Sequence, residues 1–337
     1  MGDKIKILHL CPGNLFGGVE RVLTLFARHP EFFPACQMEF GLCSEGQLKQ
    51  ELTESDALVH NTGQPRLSRP WTVRAARQRL RMLLSSQGPF HAVICHMSWP
   101  YIIYGPAARQ SRIPVVFYSH NALDRSSILD HLAARYAPDL LIAVSRFVAD
   151  ESLKMIRAAK TEVIYNACPF PAGAPDPQLR RKVRGEYGIS SDEVLLIQMS
   201  RLDMWKGHRR LLLALYLIRD LRWTCLIAGE PQNDIQIKYL AELRRMVGSL
   251  ELDGRVRFIG QQKDVRRLLA ASDVLCQANE GPEGFSMTFL EALSTGLPIV
   301  TTRLGGAPEA IDGTCGLLAP AFDDQEFASA LRRIILE

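Results

Sequence analysis

DVLCQANEGPEGFSMTFLEALSTGLPIVTTR, residues 273–303, joins two short apolar stretches through a segment of different period. DVLCQAN and PIVTTR are β-rich runs of strand length, whereas MTFLEALSTG repeats its apolar residues at helical spacing. Ser286 stands where an N-cap is wanted, a helix is expected from about Met287 to Thr295, and Gly296 is ready to end it. Strand, helix and strand in so short a span make the unit of a parallel sheet covered by helices.

The same alternation extends in both directions. Upstream, EVLLIQMS leads to GHRRLLLALYLI, WTCLIAGE to IKYLAELRRMVGSL, and RVRFIG to VRRLLAAS; downstream, PIVTTR leads to PEAIDG. Nearer the start, KIKILHL precedes ERVLTLFARH, HAVICHM precedes YIIYGPAARQ, and PVVFYSH, DLLIAVS with its helix RFVADESLKMIRAA, and TEVIYN follow. Between the two series lies ACPFPAGAPDPQ, whose Pro, Gly and Ala can continue neither element. The expected organisation is an N-terminal Rossmann-like domain over residues 1–167, a linker over 168–178 and a second Rossmann-like domain over 179–337. Both are α/β, with doubly wound parallel sheets whose carboxyl ends face a shared cleft.

A chain of 337 residues is long for a single core, and its composition is that of a soluble globular protein. Eight cysteines are scattered without a C-x-x-C pair or a Cys/His cluster at zinc spacing, which points to reduced thiols and a cytoplasmic setting. The start has too short an apolar run for a signal peptide, and no later run is long enough to span a bilayer. The net charge of +4 is uneven: residues 1–170 hold 19 Lys and Arg against 14 Asp and Glu, and the remainder 21 against 22. Part of the excess lies in Arg66–Leu84, read as a basic amphipathic helix. Val73, Ala76, Leu80 and Leu83 fall near one face and Arg74, Arg77 and Arg81 on another, so an anionic membrane surface is one expected partner and ordinary packing on the sheet the other reading. Nucleic acid is not expected.

CPGNLFGGVERV, residues 11–22, follows the first strand as a glycine loop opening a helix. From Gly13 to Gly18 the spacing fits a Walker A loop, but Val19 and Glu20 stand where Lys and a hydroxyl are needed, so an ATPase is excluded. In the second half, SRLDMWKG puts Arg201 and Lys206 in a loop at the carboxyl edge of a strand. Two cations there suit a diphosphate, although solvated surface charges would look the same. The free N–H groups of Met287 and Thr288 at the helix start behind Ser286 form an anion site, with Glu283 ahead of it and Glu291 one turn inside. One carboxylate can then meet a sugar beyond the phosphates, and the other a ribose behind them.

These residues resemble glycosyltransferase family 4, retaining enzymes of the GT-B fold. Glu283 and Glu291 make an E-x7-E motif followed by Ala292, Gly296 and Pro298, then Gly305, Gly306 and Glu309, and Arg201 and Lys206 make R-x4-K. The resemblance runs from Lys4 to about Ala330. It implies that Arg201 and Lys206 bind the donor diphosphate, Glu291 the ribose hydroxyls and Glu283 the hydroxyls of the transferred sugar. It also implies that Gly17 and Gly18 bring the backbone close to donor and acceptor, where a side chain would fill the space in which sugar meets phosphate. His120, ending VVFYSH, is implied near the reacting carbon; His96 is a weaker candidate, and Ser145, Arg146 and Asn166 match edge or hinge positions.

The pattern departs from the family at three places: Glu230 and Pro231 follow Gly229 where a second glycine is frequent, Ser286 replaces a commoner Gly, and the chain ends at RRIILE without the usual crossover helices. The expected reaction is retaining transfer of a hexosyl group from a UDP- or GDP-linked sugar to a hydroxyl of a saccharide or lipid-linked acceptor, in polysaccharide, lipopolysaccharide or glycolipid synthesis. No carboxylate of the first half stands out as a nucleophile, so a front-face route is expected, with Arg201, Lys206, Glu283 and His120 as its catalytic groups. No D-x-D motif is present, and neither a divalent metal nor a cofactor is expected. A sugar-nucleotide epimerase and a catalytically silent nucleotide-sugar binding subunit are the alternatives. No acceptor-binding residue can be named.

Overall fold

A computed structural model describes residues 4–14, 16–168, 173 and 175–337. Four residues of the expected linker after Cys168, together with Ala174 and the loop residue Leu15, lie outside the described residues. The chain divides into two compact units, Met1–Asn166 and Ala167–Glu337.

The first unit holds seven strands: β1 (Ile5–Cys11), β2 (Cys36–Leu42), β3 (Val59–Asn61), β4 (Ala92–His96), β5 (Val115–Ser119), β6 (Leu140–Ala143) and β7 (Thr161–Val163). Their order across the sheet is β3-β2-β1-β4-β5-β6-β7, and every pair is parallel. The second unit holds β8 (Val194–Met199), β9 (Trp223–Ala228), β10 (Val256–Gly260), β11 (Val274–Gln277), β12 (Ile299–Thr302) and β13 (Gly316–Ala319). Here the order is β10-β9-β8-β11-β12-β13, again parallel throughout. Each sheet reverses its winding once, between β1 and β4 and between β8 and β11. In doubly wound sheets such a reversal opens a crevice at the carboxyl ends of the two strands, where ligands bind. The architecture is that of a GT-B protein, two doubly wound parallel sheets in one chain.

The strands are apolar along their length because helices cover both faces. In β8 the even and odd positions feed different cores: Leu196 packs with Trp223, Cys225 and Val300, whereas Leu195 and Ile197 pack with Leu226, Leu275 and Ile299. Each such fully buried aliphatic side chain contributes about 1.5–3 kcal/mol. Strands β2, β3 and β13 were not legible as runs: β2 carries a buried Glu39, bonded by Lys6 and His60, and β3 and β13 are edge strands of three and four residues.

The basic segment is a helix from Pro70 to Ser86, starting later than Arg66 because Arg66–Arg69 closes a turn and Pro70 suits the first helical position. Val73, Ala76, Leu80 and Leu84 are buried against the first sheet's core, with Leu83 only partly so. Arg77 is not a solvent-facing cation. Its guanidinium donates to the carbonyls of Ile103 (2.8 Å) and Ile102 (3.0 Å) in the helix Ser98–Gln110. Pro106 has no N–H to offer the Ile102 carbonyl four residues earlier, and Arg77 supplies the missing donor. Arg81 donates to the Gln110 side chain, and Arg74 is exposed.

Candidate active site

At the reversal of the second sheet, the loops after β8 and β11 meet. The β8 loop carries Arg201, then a short 3-10 turn, Met204–Lys206, which ends at Gly207 with φ of +69°. A side chain at Gly207 would overlap the backbone carbonyl of Ala278, the first residue of the β11 loop. The two loops touch backbone to backbone there, and only glycine permits it.

That approach brings Lys206 beside Glu283. The Lys206 ammonium donates to Glu283 Oε1 at 2.7 Å and lies 4.2 Å from the centre of the Trp205 ring. Glu283 Oε2 accepts from the side-chain amides of Gln277 and Asn279, both at 3.2 Å. The Gln277 amide also donates to Asn279 Oδ1 (2.8 Å), and Gln198 donates to the Lys206 carbonyl (3.0 Å). Lys206 is almost wholly buried, and the carboxylate beside it is fixed by three donors. Arg201, by contrast, is exposed and pairs with Asp203 at 2.9 Å, while Asp203 also accepts from Gln236. His208 follows the loop, buried, with Nε2 3.2 Å from the Ser200 hydroxyl; burial, with Lys206 nearby, lowers its pKa to about 3.

The double glycine after β12 shapes the same loop. Gly305 has φ of +60°, and a Cβ on it would come within 2.6 Å of the Glu283 nitrogen; the next residue, Gly306, donates its N–H to the Glu283 carbonyl (2.8 Å). Gly305 and Gly306 therefore set the backbone position of Glu283.

The helix after this loop runs Met287–Ser294, with Thr295 as C-cap and Gly296 at φ of +72° beyond it. Ser286 occupies the N-cap position, but its hydroxyl makes no capping bond, so the substitution of Ser for Gly there is not explained by capping. Ser286 and Met287 are buried, Thr288 is partly so, and the Thr288 hydroxyl reaches the Met199 carbonyl at 3.4 Å. Glu291 is wholly buried one turn inside.

In the first unit the glycine loop leads into the helix Gly18–Arg28, with Gly17 as N-cap. The Glu20 carboxylate folds back to accept from the Gly17 N–H at 3.0 Å, which accounts for Glu20 where a Walker loop has lysine or a hydroxyl. Neither Gly17 nor Gly18 has a positive φ. A Cβ at Gly17 would meet only Glu20 at 3.6 Å, and one at Gly18 nothing within 4 Å. The described fold itself does not require glycine at either position.

His120 lies just beyond β5 and is buried, its Nε2 2.9 Å from His96 Nδ1 at the end of β4. His96 Nε2 is in turn 2.9 Å from His9 Nδ1 on β1. Burial pushes His9 and His120 down to about 3 and His96 well below its ordinary value, so all three rings are neutral at pH 7. Ser145 caps the helix Arg146–Leu153 by accepting from Val148 N at 3.1 Å. Sequence reading passed over His9, Gln277, Asn279 and His208. The signal for Gln277 and Asn279 was polar residues ending an otherwise apolar strand, two apart and hence on one face.

Two family profiles match this chain: residues 16–169 match the one described as Glycosyltransferase Family 4, and residues 193–337 the one described as Glycosyl transferases group 1. The chain carries a family 4 glycosyltransferase domain followed by a group 1 glycosyl transferase domain. Among curated relatives, this chain is 28% identical over 188 residues to N-acetyl-alpha-D-glucosaminyl L-malate synthase of Bacillus anthracis, a match that covers 55% of this chain and 47% of that protein. It is 31% identical over 176 residues to the GDP-mannose-dependent alpha-(1-6)-phosphatidylinositol monomannoside mannosyltransferase of Mycolicibacterium smegmatis, covering 49% of this chain and 44% of that protein. The chain thus spans about half the length of the curated relatives it matches. Among solved structures, Anabaena Alr3699/HepE in complex with UDP and glucose superposes with a TM-score of 0.84 at 26% identity, over 98% of this chain and 90% of that one.

Proposed function

We propose that the protein is a retaining glycosyltransferase that moves a hexosyl group from a nucleoside-diphosphate sugar to a hydroxyl of a saccharide or lipid-linked acceptor. The observation that carries this reading is the Lys206–Glu283 pair at the winding reversal of the second sheet, with Arg201 on the same loop as Lys206. A cation held beside a hydroxyl-binding carboxylate matches the junction of a sugar and its phosphate. Lys206 and Arg201 would take the diphosphate, the helix start at Ser286, Met287 and Thr288 its remaining oxygens, and Glu291 the ribose. Glu283, oriented by Gln277 and Asn279, would accept from hydroxyls of the transferred sugar. Gly17 and Gly18 support the reading too, since nothing described in their own unit calls for glycine there. We assign His120 to the transferred sugar near the reacting carbon.

In the reaction, the bond between the anomeric carbon and the phosphate oxygen breaks and the acceptor oxygen bonds to the same face of that carbon. The acceptor proton passes to the departing phosphate oxygen. Charge grows on the diphosphate as it leaves, and Arg201 and Lys206 stabilise it there more than in the ground state. This scheme assigns no step to a divalent metal.

HepE was solved with UDP, and a mannosyltransferase relative is named for GDP-mannose, so the donor test spans both bases. Thermal-shift measurements with UDP- and GDP-sugars should raise Tm for one series, because a ligand that binds only the native state stabilises it. Proton NMR of the product formed from that donor should show the donor's own anomeric configuration; inversion would refute the front-face route. A nucleotide-sugar that binds but is neither transferred nor hydrolysed would favour a binding subunit instead.

For the acceptor we propose a membrane-associated glycan or glycolipid, approached from the cytoplasmic face by the helix Pro70–Ser86. Its outer side carries exposed Trp71, Arg74 and Met82. Among the described residues no helix is long and apolar enough to cross a membrane.

A further inference from the structure

His9, His96 and His120 sit on three adjacent strands in the order β1-β4-β5, and each steps two residues further along than the last. His9 pairs in register with Ile94, two residues before His96; His96 pairs with Tyr118, two residues before His120. All three rings therefore lie on one face of the sheet and climb diagonally toward its carboxyl edge. Their centroids are 5.2 Å apart at both steps, with planes within about 26° of each other. The N···N distances of 2.9 Å make a continuous hydrogen-bonded chain.

Three neutral imidazoles joined this way can order their protons in only two ways, because each ring has one N–H and one lone pair. In one order every Nδ1 carries the proton, and His120 presents an N–H beyond the chain. In the other every Nε2 carries it, and His120 presents a lone pair. The far end decides between them. His9 Nε2 has no hydrogen-bond partner among the described residues, and the His9 ring has the Phe26 and Phe40 rings as neighbours, with centroids 5.7 and 5.5 Å away. A proton on that nitrogen would be a buried, unpaired donor, while a proton on His9 Nδ1 is bonded to His96. The residue after His96 marks the same place: Met97 is a non-glycine residue at φ of +72°, a strained backbone that recurs where a fold holds a functional group in position. No group of three ligating side chains among the described residues is placed to hold a metal ion, and the histidines bond to each other.

We propose that His9 and His96 are positioning residues that hold His120 as its Nδ1–H tautomer, so that His120 acts as a hydrogen-bond donor toward the substrate. The role of His120 itself rests on the function proposed above; the proton order does not. A donor at this nitrogen suits an oxygen of the sugar or its leaving group and cannot serve as a general base.

The full chain, labelled with 15N-histidine, tests the order directly. Long-range 1H–15N correlation distinguishes the two tautomers, and His120→Gln identifies the His120 signals among the eight histidines. The expected pattern is Nδ1–H at His120 and at His96; an Nε2–H pattern at His120 overturns the proposal, whether or not any sugar is transferred. A second pair of variants separates positioning from packing. His96→Leu should lower kcat by roughly tenfold or more while affinity for whichever of UDP and GDP binds the wild type stays within about twofold, and His96→Asn, whose amide can donate to His120 and accept from His9, should recover most of that loss. Equal loss in both variants, or loss that follows Tm alone, refutes the positioning role. Should the NMR order hold while His120→Ala transfers sugar at the wild-type rate, the chain stands and the catalytic assignment of His120 falls.

Discussion

At the scale of single residues, Lys206 and Glu283 each depend on the other. Glu283→Gln keeps the shape and leaves one acceptor oxygen, but it removes the charge that balances a nearly buried ammonium. Stability should fall by about 1–3 kcal/mol, measured by urea unfolding, because an ion left without its partner costs more than the pair contributed. Transfer should fall further than affinity for the nucleotide, since the proposed assignment gives Glu283 a contact to the sugar and not to the diphosphate. A variant with wild-type turnover would show that Glu283 only neutralises Lys206. None of these contacts could be read along the chain. Glu283 and Lys206 were legible as motif residues, but their pairing depends on strands β8 and β11, which are distant in sequence and adjacent in the sheet. His9 was missed for the same reason: in IKILHL it is one alternating residue, and only the order β1-β4-β5 brings it beside His96.

At the scale of elements, Pro106 and Arg77 make a unit that the helical period of the basic segment conceals. Three arginines at helical spacing look equivalent in sequence, yet one repairs a helix and the others do not. Arg77→Ala should destabilise the protein by about 1–3 kcal/mol by leaving a buried carbonyl without its donor, whereas Arg74→Ala should stay within about 0.5. Equal denaturation midpoints for the two variants would contradict this. The same distinction governs the membrane test: in sedimentation with vesicles rich in anionic lipid, Trp71→Ala combined with Arg74→Ala should abolish binding, and binding indifferent to both lipid charge and these substitutions would leave the helix a packing element only. The double glycine teaches a related lesson. Gly305 and Gly306 were legible as part of a family pattern, but the sequence does not say that they shape the Glu283 loop, because the overlap involves backbone atoms 22 residues away. Edge strands β3 and β13 escaped notice because three or four residues carry too little periodicity to stand out.

At the scale of the whole molecule, buried neutral histidines are unequally shared. The first unit contains His9, His96 and His120, all lowered by burial, and among the described residues of the second unit His208 is the one so lowered. In the unfolded chain each returns to about 6.5, so the unfolded state binds more protons wherever pH lies between that value and about 3. The stabilising contribution is complete above pH 6.5 and is lost as pH falls, by about 1.4 kcal/mol per pH unit for each histidine. Hydrogen exchange followed from neutral pH toward about pH 4.5 should therefore show the first unit losing protection before the second; simultaneous loss, or earlier loss in the second, would contradict neutral burial of the three rings.

The central claim is that the loop from Arg201 to Lys206 grips a nucleoside diphosphate. Isothermal titration of UDP and GDP into the full chain and its Lys206→Ala and Arg201→Ala variants tests it most directly. One of the two nucleotides should bind the wild type, and each substitution should weaken that binding by about 1.5–3 kcal/mol, roughly ten- to hundredfold, as expected for a hydrogen bond to a charged group. Equal affinity in all three proteins, with the fold intact, would contradict the claim.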